Sequence, residues 1–101
     1  MTLELGGANS LIVLEDADLD IAASNAAWGA YLHQGQICMA TGSVLAHHKI
    51  ARELTERLVE KARHLPVGDP HTAQVALGPL INQRQLERVD GIVKDLSLIH
   101  I

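Results

Sequence analysis

The chain has 101 residues, of which 48% are hydrophobic and 2% aromatic, with a net charge of −4 when the histidines are neutral. That length suits one small domain with an aliphatic core. The acidic balance argues against a nucleic-acid surface, and the apolar runs fall far short of a membrane span. A lone cysteine cannot close an internal disulfide, so a reducing, cytoplasmic setting is expected. The start, Met1-Thr2-Leu3-Glu4, is acidic within four residues, so no secretory leader is expected.

Thr2 to Leu5 is an apolar run around Glu4 and is predicted as a short strand, with Gly6-Gly7 as the turn after it. Leu11 to Leu14 is continuously apolar, the pattern of a strand buried on both faces. Glu15, Asp16 and Asp18 then place acidic residues at the start of a helix from about Asp18 to Leu32. Leu19, Ala22, Ala23, Ala26, Ala27 and Ala30 give that helix a face of small residues for close packing. Trp28 is read as a core residue or the wall of a substrate channel.

Ser43 to His47 is predicted as a strand. His47 and His48 are adjacent, so in a strand their side chains would point apart and make a poor metal pair; no metal site is expected. A helix from about Lys49 to His64 follows, with Ile50, Leu54, Leu58 and Ala62 on its dry side and Arg52, Glu53, Glu56, Arg57, Glu60 and Lys61 on its wet side. Pro66 stops it, and Val67 to Val75 reads as a loop. A last helix runs from about Asn82 to Asp95, with Leu86, Val89, Ile92 and Val93 on one face. Strand, strand, helix, strand, helix, helix is an α/β pattern.

Two stretches carry the chemistry. The first is Leu32-His33-Gln34-Gly35-Gln36-Ile37-Cys38-Met39-Ala40-Thr41-Gly42, which holds the single cysteine. Small residues after Cys38 leave room for a reactant to approach the sulfur, and Gly35 allows backbone shapes closed to other residues. A lone cysteine is more often a buried packing residue than a nucleophile, so the reading depends on finding a base. The second stretch, around Glu4, offers one. A carboxylate between Leu3 and Leu5 is costly to bury without a partner or a task, and a shielded carboxylate suits general-base work. The alternative is an edge-strand glutamate facing water.

Together these stretches resemble the aldehyde dehydrogenase superfamily. Glu4-Leu5-Gly6-Gly7 precedes Gly35-Gln36-Ile37-Cys38, with the glutamate and the cysteine 38 − 4 = 34 positions apart. Leu11 to Asp20, then Val67-Gly68-Asp69-Pro70, then Gly78-Pro79-Leu80-Ile81 match further landmarks of that family in order. The resemblance covers about Thr2 to Asp95. It implies a partial three-layer α/β/α catalytic domain over residues 1–95. It also implies Cys38 as the nucleophile that forms a thioester and Glu4 as the base that activates water to hydrolyse it. Leu5 and Gly6 map to backbone that lies against the nicotinamide of NAD or NADP. Ile37 and Met39, with Trp28, Tyr31 and Leu32, are expected to line the substrate pocket. A small-molecule aldehyde is the implied partner, and a homo-oligomer the implied state of the parent enzyme. The family's cofactor domain, its oxyanion asparagine and its cofactor-ribose glutamate are expected to lie outside this chain, which contains no Gly-x-Gly-x-x-Gly loop.

The departures from the family pattern are local. Ala8 and Ser10 stand where lysine and proline are usual, His33 where asparagine is common, and Ser43 where a basic residue is common. His33 is read either as a ring acting on the thiol or as a helix-end residue that caps or packs. Leu-His-Gln-Gly-Gln-Ile-Cys-Met resembles the branch acting on aromatic aldehydes, such as benzaldehyde and vanillin dehydrogenases. Met1 is expected to be an internal methionine of a longer protein. Leu96 to Ile101 has no family counterpart and reads as the translation of a sequencing-adapter end, or else as a natural apolar tail. Three functions compete: an NAD(P)-dependent aldehyde dehydrogenase of which this chain is an inactive piece, a thiol-redox or CoA-acylating protein, and a non-catalytic remnant. Glu4 argues against the second, and joint retention of Glu4 and Cys38 against the third.

Overall fold

The computed structural model describes residues 1–99. Its centre is a strand–helix–strand unit. Strand β1 (Asn9–Val13) leads to helix α1 (Leu19–Tyr31), then a 3-10 turn (Leu32–Gly35), then strand β2 (Thr41–Ala46). The two strands pair in parallel, Leu11 with Val44, Ile12 with Leu45 and Val13 with Ala46. The long connection through α1 is what allows that direction. Helix α2 (Ala51–Arg63) and helix α3 (Gln83–Ile99) follow. The class is α/β, as expected.

Local chemistry explains the boundaries. Asp18 caps α1 by accepting hydrogen bonds from the N–H groups of Asp20 and Ile21 at 3.0 and 3.1 Å. Of the small residues whose spacing predicts a packed face, Ala23, Ala26 and Ala27 are buried and Ala22 and Ala30 half-buried, and Gly29 is buried beside them. Asn82 begins α3 in the same manner, accepting from the Gln85 N–H at 3.0 Å. The helix runs on through Leu96 to Ile99, and residues 100 and 101 of the expected tail lie outside the described residues. In the loop after α2, a single parallel bridge joins Val67 and Leu77, and Asp69 accepts from the His71 N–H.

The core is small and lies on one side of the sheet. Val13, Ala23 and Leu54 form its centre, with Leu11, Val44, Ala46 and Ile50 packed around them. Arg57 of α2 bonds both Glu53 on its own helix and Asp20 on α1, so a residue expected on the wet side ties the two helices together. Its guanidinium is held above the ordinary arginine range, first by Glu53 and then by Asp20. A raised cation contributes fully below its unfolded value and is lost only as pH climbs through the folded one, so this tie is constant across the neutral range.

Several expectations change here. Thr2–Leu5 is not a strand: residues 1–8 form no ladder, and Leu5 is 87% exposed. A strand needs a hydrogen-bonded neighbour, and among the described residues none pairs with residues 1–8. Leu11–Leu14 is covered on one face only. Leu11 and Val13 point into the core, whereas Ile12 is 67% and Leu14 62% exposed, because among the described residues no element lies over them. Trp28 is not a core residue: although it stands between buried Ala27 and Gly29, its side chain is 60% exposed. The His47 and His48 rings do not point apart but lie with centroids 4.3 Å from each other, since the strand ends at Ala46 and both residues follow it. Among the described residues, no three histidine, cysteine, aspartate or glutamate side chains gather as a metal site. No described helix is long and apolar enough to cross a membrane.

Candidate active site

Cys38 sits on a turn between the 3-10 segment and β2, and it is exposed. The turn is closed from inside by the Ala40 N–H donating to the Ile37 carbonyl at 3.1 Å. It is held from outside by Asn9. The Asn9 amide donates to the Cys38 carbonyl at 2.7 Å and to the Ala40 carbonyl at 3.1 Å. Gly7 passes just as close, since a Cβ placed there would lie 3.2 Å from the Cys38 carbonyl oxygen. The stretch that follows Glu4 therefore lies against the turn that carries Cys38.

The approach to the cysteine is unusual backbone. His33, Gln34 and Gly35 have φ of 50°, 58° and 71°, three consecutive residues in the left-handed region. For a residue other than glycine that shape costs about 1–2 kcal/mol. Gln34 helps to hold it. With its amide oriented to satisfy both ends, its oxygen accepts from the Gly78 N–H at 3.0 Å and its nitrogen donates to the His33 carbonyl at 2.8 Å. The Gln36 N–H also donates to the His33 carbonyl, at 3.1 Å. Of these, the sequence signalled only Gly35.

The other expected site residues lie in several places. Trp28, Tyr31 and Leu32 cluster where α1 ends, and the Leu32 N–H bonds the Trp28 carbonyl. Ile37 and Met39 flank Cys38, the first half-buried and the second exposed. His33 is exposed. Glu4, Leu5 and Gly6 lie on the exposed segment before β1. Glu4 is thus not shielded by its apolar neighbours in this chain. A groove of about 530 Å³ opens beside the turn, bounded by Gln34, Gln36, Leu80 and Val89 rather than by Cys38.

The sequence model of the aldehyde dehydrogenase family matches residues 1–97. This chain belongs to the aldehyde dehydrogenase family. It is 57% identical over 91 residues to a vanillin dehydrogenase of an Amycolatopsis species, a match covering 90% of this chain and 19% of that protein. It is 54% identical over 94 residues to the NAD(+) benzaldehyde dehydrogenase of Pseudomonas putida, covering 93% of this chain and 19% of that protein. Among solved structures, it superposes on a salicylaldehyde dehydrogenase of Pseudomonas putida G7, complexed with salicylaldehyde, with a TM-score of 0.82 and 46% identity. That superposition covers 92% of this chain and 19% of the other. The chain thus spans about a fifth of the length of these aldehyde dehydrogenases.

Proposed function

We propose that this chain is the nucleophile-bearing part of a longer NAD(P)-dependent aldehyde dehydrogenase that oxidises an aldehyde to a carboxylic acid. The observation that supports it best is the clamp between the two motif stretches: Asn9 and Gly7, just past Glu4, lie against the turn that presents Cys38. An exposed thiol on a hydrogen-bonded turn is open to a carbonyl compound, and the small residues Ala40 to Ser43 follow close behind it.

The Cys38 thiolate adds to the aldehyde carbon. A C–S bond forms, and the carbonyl π pair moves onto oxygen, next to the Cys38 N–H. As that oxyanion collapses, the former aldehyde C–H bond breaks and leaves a thioester on Cys38. A nicotinamide cofactor, when bound, supplies the acceptor for the hydride. Glu4 takes a proton from water, the resulting hydroxide adds to the thioester carbonyl, and the C–S bond breaks to return the thiolate.

The residues present fit the reactive ring of such a cofactor and no more of it. Gly6 has φ of 71°, with no atom of the described residues within 4 Å of where a Cβ would stand, and Leu5 beside it is exposed. This leaves an open backbone edge for a flat ring. Ile37, Met39, Trp28, Tyr31 and Leu32 are assigned to the substrate side, with an aromatic aldehyde as substrate. Residues 1–95 form the native part, the parent is a cytoplasmic homo-oligomer, and residues 96–101 are an adapter-derived tail. The test is direct. The full-length protein carrying this chain, given benzaldehyde and NAD(P), reduces the cofactor, and Cys38→Ala abolishes that reduction. Full activity in the variant would refute the assignment.

A further inference from the structure

The register of the sheet slips at its first pair. Asn9 lies opposite Thr41 but Ser10 lies opposite Ser43, so Gly42 is an extra residue in β2. Such a bulge re-aims the side chain beside it. Here that side chain is Asn9, and it is aimed at the cysteine turn. A carboxamide nitrogen has two hydrogens. Asn9 spends both on this turn, one on the Cys38 carbonyl at 2.7 Å and one on the Ala40 carbonyl at 3.1 Å.

We infer that Asn9 is a positioning residue for the nucleophile: it locks the Ile37–Ala40 turn so that the Cys38 sulfur and the Cys38 N–H stay in one orientation toward the reacting carbonyl. Two carbonyls of the turn are bridged from one side chain, so neither the Cys38 nor the Ala40 carbonyl can rotate without breaking a bond. Holding the Cys38 carbonyl sets the plane of the peptide that follows, and the Ile37–Ala40 bond restrains the peptide that precedes. The Cys38 N–H itself has no backbone partner among the described residues. It is therefore left to face an oxyanion. A donor and a nucleophile on one immobilised turn need no rearrangement as the reaction proceeds. The sheet bulge and Gly7 make this possible. Gly7 lets the chain pass the Cys38 carbonyl, where a Cβ would sit at a tight 3.2 Å.

The inference rests on the reading of Cys38 as the nucleophile, and the experiment separates the two. In the full-length protein carrying this chain, the pre-steady-state burst of reduced cofactor is measured per active site for Asn9→Ala, Asn9→Asp and Cys38→Ala. Aspartate has the size of asparagine but, when ionised, sets two acceptors against two carbonyls. The expected burst rate constant falls about 10- to 100-fold in Asn9→Ala and further in Asn9→Asp, while the KM for cofactor changes by less than about two-fold. Asn9→Ser, which keeps one donor, recovers part of the rate. A merely structural asparagine would lower the amount of folded enzyme, and so the burst amplitude, with the rate constant per site unchanged. That outcome overturns the inference. If Asn9→Ala is insoluble, the Asp and Ser variants decide by their order. Full activity in Cys38→Ala would remove the premise and the inference with it, whereas an inactive Cys38→Ala beside a normal Asn9→Asp burst would remove the inference alone.

Discussion

Gly29 of α1 rests on Thr41 of β2 so closely that a methyl group on Gly29 would collide with the Thr41 hydroxyl. The contact brings the crossover helix down onto the strand that begins three residues after Cys38. It also sets two known effects against each other. Alanine is favoured over glycine in a helix interior by about 1 kcal/mol. Overpacking a tight contact costs about 1–3 kcal/mol. Gly29→Ala in the full-length protein is therefore expected to lower the denaturation midpoint, with Thr41→Ala restoring part of the loss by removing the hydroxyl. A midpoint at or above that of the unsubstituted protein would show that the contact relaxes at no cost.

Glu4 is expected to serve hydrolysis of the thioester more than its formation. It lies on the exposed segment next to the stretch that clamps the cysteine turn, and water can reach it. Glutamine keeps the shape of the side chain and removes the base. Glu4→Gln should therefore keep the burst of reduced cofactor and slow steady turnover by about 10²- to 10⁴-fold, the usual contribution of a general base. Loss of the burst together with normal thioester hydrolysis would contradict this division of work.

Aromatic aldehydes are expected to be preferred. The motivation is Leu32-His33-Gln34-Gly35-Gln36-Ile37-Cys38-Met39, together with relatives named for vanillin, benzaldehyde and salicylaldehyde. Specificity constants for benzaldehyde, succinic semialdehyde and betaine aldehyde, measured on the full-length protein, compare a neutral ring with an anion and a cation. A higher constant for either charged aldehyde would rule the preference out.

Residues 1–95 expressed alone are expected to lack both activity and a cooperative melt. A folded monomer of this size exposes roughly 5,600 Å². The chain exposes 8179 Å². Its radius of gyration is 15.5 Å, where about 13 Å is usual for this length. Large apolar side chains are among what is exposed: Ile12, Leu14 and Leu45 on the bare face of the sheet, and Leu86, Ile92 and Val93 along α3. Typical stability is only ~5–15 kcal/mol, and an uncovered sheet face removes apolar burial on that scale. Calorimetry and size-exclusion chromatography of the isolated piece decide it. A soluble monomer with a sharp transition, or one that binds NAD, would show the expectation to be wrong.

By itself the sequence determined the class and the order of most elements, because those depend on period and on neighbours along the chain. Asp18 caps α1, the alanines between Ala23 and Ala27 are buried, and Ile50, Leu54 and Leu58 turn inward as their four-residue spacing requires. The pairing of the glutamate and cysteine stretches was likewise legible, as two short motifs at a set separation. Tertiary structure decided what depends on residues far apart. Asn9 had no signal in the sequence, because its partners are Cys38 and Ala40, about thirty positions away. Arg57 looked like one more charge on a wet helix face until Asp20 arrived beside it from α1. The left-handed turn at His33 and Gln34 is hard to read from residue type: histidine is enriched at positive φ, glutamine is not, and a hydrogen bond to Gly78 helps to hold it. Thr2–Leu5 and Leu11–Leu14 show the opposite limit. Their apolar pattern states what such strands need covered, but a pattern supplies no neighbour, and burial exists only where another element packs against the strand.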